Sequence, residues 1–137
     1  HGVTNPEVSL GELMAAAACL RGARQYGREV SMYRLVLQRR PQAPIASEAT
    51  RSMGLRLEQM DERSGALDTF EDYLKRFPKQ ADARAVGTRA VCLARTLGDS
   101  RREEHMLGTL ERNYGREGFA RPEPEQLPAL CGETNGE

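Results

Sequence analysis

The chain has 137 residues, 20 Lys+Arg against 20 Asp+Glu, and 39% apolar residues with no tryptophan. That length suits one domain, with a core of Leu, Ala, Val and Met rather than a large aromatic-lined pocket. The balanced charge argues against a nucleic-acid-binding surface, which carries a basic excess, and there is no apolar run of the length a membrane-spanning helix needs.

The first residues, His1-Gly2, lack a methionine, so the chain is expected to be a fragment or a processed form, with a leader over 1–8. Leu13 to Leu20 is apolar, but it is short and no basic segment precedes it, unlike a signal peptide. Ser9 with Glu12 three residues on predicts a capping box, and a first helix reaching about Gln25. Gly27 is read as the break before a second helix over about 28–40, and Pro41 and Pro44 punctuate the next loop. Ser47 is expected to cap a third helix ending near Met60, and Asp61 or Ser64 to start a fourth that ends before Pro78. A fifth helix is expected over about 81–97 and, after Gly98-Asp99, a sixth over 101–114. Ala66, Leu67, Phe70, Tyr73, Leu74 and Phe77 share one face at helical spacing, while Asp68, Glu71, Asp72 and Lys75 fall on the other. Beyond Gly115 the prolines at 122, 124 and 128 predict coil.

The helices recur. The same 37-residue step carries Pro41 onto Pro78, Tyr33 onto Phe70 and then Leu107, and Val36 onto Tyr73 and then Leu110. In the middle unit Met53, Gly54 and Leu57 are followed by Ala66, Phe70 and Pro78. This spacing resembles the tetratricopeptide repeat, a helix–turn–helix unit of about 34 residues. The resemblance covers about residues 10–115 and implies an all-α fold: three antiparallel helix pairs over 9–115, stacked as a short right-handed superhelix. The outer units depart from the pattern. Ala17, Glu29 and Tyr33 stand at the glycine, small and aromatic positions of the first unit, and Val91, Glu103 and Leu107 at those of the third. The run from Phe70 to Pro78 is also similar to repeats of bacterial cell-envelope accessory proteins, which favours the periplasm or cell envelope over the cytoplasm.

The resemblance implies a non-enzymatic adaptor or assembly factor that binds a protein or peptide; the alternative is a regulatory domain of a larger bacterial enzyme or signalling protein. In this family the first helix of each pair lines a concave groove. The matching residues are Met14, Ala18 and Arg21, then Glu48, Arg51, Leu55 and Glu58, then Ala85, Thr88, Cys92 and Arg95. The arginines suit an acidic or C-terminal peptide, since a guanidinium grips a carboxylate through two bonds. Ala18, Leu55 and Cys92 replace the asparagines of repeats that clamp chaperone tails.

No catalytic residue, cofactor or metal site is expected. His105 has no cysteine or histidine at ligand spacing, and the acidic group from Asp61 to Asp72 lacks an EF-hand pattern. Cys19 and Cys92 fall in apolar helical patterns, and Cys131 lies in the tail. Three cysteines cannot all pair within one chain, and a disulfide from the tail to a helix is one open pairing. The tail, 116–137, is expected to be extended and to cover the end of the sixth helix with Phe119, Leu127 and Leu130. The other readings are a linker to a further domain, or a segment lying in the groove and blocking it.

Overall fold

The computed structural model describes residues 8–133, and among these there are helices and no strands. The helices are α1 (Leu10–Gly22), α2 (Tyr26–Gln38), α3 (Ile45–Gln59), α4 (Arg63–Arg76), α5 (Ala83–Leu97) and α6 (Ser100–Tyr114). Two 3-10 turns (Gly115–Glu117 and Pro124–Gln126) and a short α7 (Leu127–Leu130) follow. The chain forms two compact units, His1–Thr69 and Phe70–Glu137, with the boundary inside α4. The 1–8 leader falls outside the described residues but for Val8.

Local chemistry explains the helix ends. Ser9 caps α1: its hydroxyl accepts from the Glu12 amide at 3.0 Å, and the Glu12 carboxylate accepts from the Ser9 amide at 2.8 Å. The Ser9 amide, and after it the Ser9 hydroxyl, hold the Glu12 carboxyl below its usual range. Asp99 caps α6 by accepting from the Arg102 amide at 3.1 Å.

Three expected boundaries move. Gly27 lies inside the first turn of α2, and α1 ends earlier, because the chain reverses at Arg24 with φ of 60°. Ser47 lies inside α3; its hydroxyl donates to the Pro44 carbonyl at 2.9 Å instead of accepting from an amide. The tail is not all coil. Pro128 sits in the first turn of α7, where a missing N–H leaves no bond unmade.

The turns that follow α1, α3 and α5 share one construction. Arg24, Asp61 and Gly98 each take a left-handed conformation, with φ of 60°, 64° and 71°. In each turn the following amide bonds back five residues: Gln25 to the Leu20 carbonyl, Glu62 to Leu57 and Asp99 to Ala94, at 2.9, 2.8 and 2.9 Å. The left-handed residue itself bonds to Arg21, Glu58 or Arg95, at 2.9, 3.0 and 3.0 Å. This paired arrangement satisfies two carbonyls that a helix end otherwise leaves open. All three sets obey the 37-residue step seen in the sequence.

In the first unit α1 packs on α2 and α2 on α3. Leu13, Ala17, Met32, Tyr33, Val36 and Ala49 form one core cluster, with Met14, Leu20 and Met53 among the half-buried residues around it. In the second unit α5 packs on α6. Val86, Ala90, Val91, Leu93, Met106, Leu107 and Leu110 are buried there. Gly87 sets the approach of these two helices: a Cβ at this position would stand 2.5 Å from Leu110 Cδ2. The aromatic positions expected to be core are so, since Tyr33 and Phe70 are both 0% exposed.

Candidate functional site

In the first unit Met14 is half-buried and Ala18 and Arg21 are exposed along α1. On α3, Glu48 is exposed, and Arg51, Leu55 and Glu58 are half-buried. Arg21 is committed to an internal network. Its Nε donates to Glu29 Oε2 at 2.9 Å, and its terminal nitrogen donates to the Tyr33 hydroxyl at 2.7 Å. The Tyr33 hydroxyl in turn donates to Glu29 Oε2. Arg56 Nε lies 3.5 Å from the same oxygen.

Glu29 is 0% exposed, so this carboxylate depends on its cationic and hydroxyl neighbours. The Tyr33 hydrogen bond, then that of Glu29, raises the Arg21 pKa. Burial first, then the Glu29 carboxylate, raises that of Tyr33.

In the second unit Ala85 is exposed and Thr88 half-buried. Cys92 is bonded to Cys131, with the two Cα atoms 5.3 Å apart, while Cys19 is an exposed free thiol. Three residues along α5, Arg95 grips Glu133 through two bonds, Nε to Oε2 at 3.1 Å and a terminal nitrogen to Oε1 at 2.9 Å. Arg95 also reaches Glu103 on α6 at 3.5 Å. The Glu133 bond raises the Arg95 pKa, and Arg95 holds the Glu133 carboxyl below its usual range. Two candidate groove positions of α5 are therefore covered by the chain's own tail.

The tail reaches them along a defined path. The Phe119 amide bonds to the Tyr114 carbonyl at 3.0 Å, and the Arg84 guanidinium stands 5.7 Å from the Phe119 ring centre. Arg121 bridges Glu104 and Glu111 on α6, at 2.7 and 3.1 Å. Leu127 is buried, Phe119 is half-buried, and Leu130 remains exposed. Of the three residues expected to cover the end of the sixth helix, Leu127 is thus the one that is buried.

Sequence reasoning missed Glu29 and Glu103 as partners of Arg21 and Arg95. A signal was present: Arg21 and Glu29 are spaced as Arg95 and Glu103 are, and the middle unit has Glu58 and Ala66 at those positions.

His105 is exposed, and it borders a shallow depression of about 400 Å³ with Glu71, Asp99, Arg101 and Arg102. There Arg102 and Glu71 are joined through two bonds, at 2.7 and 3.2 Å. A wider cleft of about 620 Å³ lies between Pro78–Arg84 and the end of α6. Tyr114 closes its floor by donating to the Pro78 carbonyl at 2.6 Å. Among the described residues no cluster of His, Cys, Asp or Glu is placed to hold a metal, and no helix is long and apolar enough to cross a membrane. No protein family, curated protein or solved structure matches the chain.

Proposed function

We propose that the chain is a tetratricopeptide-like array of three helix pairs that acts as a non-enzymatic docking module for a protein or peptide. The observation carrying this reading is the left-handed turn with its two back-bonds, repeated at Arg24, Asp61 and Gly98. A recurring turn of one geometry ends α1, α3 and α5 in the same way. Such units bury their apolar faces on neighbours and leave one surface for partners. In the first unit that surface comprises Ala18, Glu48, Arg51 and Leu55, which are exposed or half-buried beside the core. The disulfide supports an oxidising compartment, in line with the envelope resemblance.

The test is affinity capture from a bacterial envelope fraction with the intact chain as bait, repeated with Arg51→Glu and Leu55→Asp. The reading expects a partner retained by the unaltered chain and lost from both variants, with helical circular dichroism unchanged. Equal retention by all three proteins counts against these residues as the docking surface.

A further inference from the structure

We propose that residues 128–133 are a reducible latch that occupies a carboxylate-binding face on α5, and that an acidic peptide segment takes this face once the latch is opened. The inference rests on the docking reading above and concerns the regulation of its α5 portion.

The tail is fastened in two stages. Its near part is held by Arg84 against Phe119, by Arg121 between two α6 carboxylates, and by the burial of Leu127. Its far part is α7 and its cap, where the Cys131, Gly132 and Glu133 amides bond back to Leu127, Ala129 and Pro128, and two contacts fasten it to α5: the Cys92–Cys131 bond and the Arg95–Glu133 pair. Within it Ala129 and Leu130 are both exposed, and Gly132 takes φ of 72°. Arg95–Glu133 is a partly exposed ion pair, and such pairs hold weakly by themselves. The disulfide, closing 39 residues of chain, is what keeps this pair local and its members at high effective concentration.

The chemistry of opening is thiol–disulfide exchange with a dithiol reductant. A thiolate of the dithiol attacks one sulfur of the half-buried cystine, forming a mixed disulfide and expelling the other cysteine as a thiolate. The second thiol of the reductant then closes its own disulfide and frees the remaining cysteine. Two electrons pass from the dithiol to the cystine, and its two protons go to the protein thiolates or to solvent.

Leu127, buried at the start of α7, then serves as the hinge. The exposed face presents the Cys92 thiol and the Arg95 guanidinium, with Glu103 still steadying Arg95 from α6 at 3.5 Å. Glu133 shows what this face recognises: a carboxylate on an irregular segment, gripped by both edges of one guanidinium.

The experiment uses the full chain carrying Cys19→Ser, so that the free thiol cannot exchange, in oxidised form and after a dithiol. Amide hydrogen exchange follows residues 128–133 and α5. A labelled peptide of residues 126–133 with Cys131→Ser serves as the probe, and Cys131→Ser in the chain gives the open state without reductant. The latch expects exchange at 128–133 to rise at least tenfold on reduction while the interiors of α5 and α6 stay protected. It also expects peptide binding to be at least tenfold tighter to the reduced and Cys131→Ser chains, and to be lost with Arg95→Glu. Unchanged protection at 128–133 after reduction overturns the latch. Release without peptide binding to α5 overturns the carboxylate face. Either failure leaves the docking reading standing while Arg51→Glu and Leu55→Asp still abolish partner capture; that reading fails only when those two changes have no effect.

Discussion

Glu29 and Glu103 are related by two of the 37-residue steps, and each meets an arginine eight residues earlier, yet removing them is expected to have unequal effects. Taking one partner from a fully buried ion pair costs about 3–5 kcal/mol. In the first unit the carboxylate is buried and so is Arg56 Nε, but the side chain of Arg21 is 43% exposed, so water restores part of its solvation when Glu29 is gone. Water has less access to the Tyr33 hydroxyl, which loses its acceptor inside a residue at 0% exposure. A buried donor left unmade costs about 1–3 kcal/mol. Together these place Glu29→Ala at about 2–3 kcal/mol of lost stability. The Glu103 side chain is 17% exposed, and Arg95 keeps Glu133, so Glu103→Ala is expected to cost under about 1 kcal/mol. Urea unfolding of both variants at constant slope measures the difference. Adding Arg21→Ala completes a cycle whose coupling should exceed about 0.5 kcal/mol. Equal losses for the two glutamates, or no coupling between Arg21 and Glu29, would refute the claim that the first network is held by its buried carboxylate.

Two further outcomes follow from particular side chains. Gly87→Ala is expected to destabilise by about 1–3 kcal/mol despite alanine's better helix propensity, because the new Cβ meets the buried Leu110 at 2.5 Å. Gly27→Ala, in an α2 turn with open space around it, should instead stabilise by up to about 1 kcal/mol, and a thermal melt showing the same sign for both would contradict the packing argument. Stability should also fall at high pH. Tyr33 has a raised pKa, chiefly from burial, so its contribution is present below the ordinary phenol value of about 10 and is lost as pH rises through the raised value. Tyr114 is shifted in the same direction, so Tyr33→Phe should reduce the alkaline loss without removing it; urea midpoints at about pH 8 and about pH 10.5 that drop equally in both proteins would exclude this account.

The helices were legible because their apolar faces recur at helical spacing and because the capping box at Ser9 and the cap at Asp99 depend on neighbours in sequence. The 37-residue step was legible from Tyr33, Phe70 and Leu107, all of which are buried. Helix ends were less so. Arg24 adopts a left-handed turn without being glycine, so its composition carries no turn signal, whereas Asp61 and Gly98 at the matching positions do. The candidate groove was the least legible part. An arginine at a groove position looks the same in sequence whether it faces a ligand or an internal carboxylate, and the partners of Arg95 lie eight and 38 residues away. Cysteine count left the pairing open, and only the path of the tail brings Cys131 to Cys92.

Where α5 and α6 approach closely, the small residue is Gly87. At the positions where the resemblance would put a glycine and a small residue stand Val91 and Glu103. The close approach is instead made one turn earlier, at Gly87 under Leu110, while the Glu103 carboxylate is partly enclosed and meets Arg95. In the first pair the position matching Gly87 is Leu13, fully buried in the core, and the carboxylate Glu29 is drawn inside with it. Where the backbones approach at Gly87, Glu103 stays near the rim and Arg95 retains a free edge for a second carboxylate, which Glu133 takes. Where leucine fills that site, the glutamate is internal and Arg21 shares it with Tyr33 and Arg56. A single change of side-chain volume at this position thus accompanies the difference between an arginine spent on the core and one able to hold a segment from outside its pair.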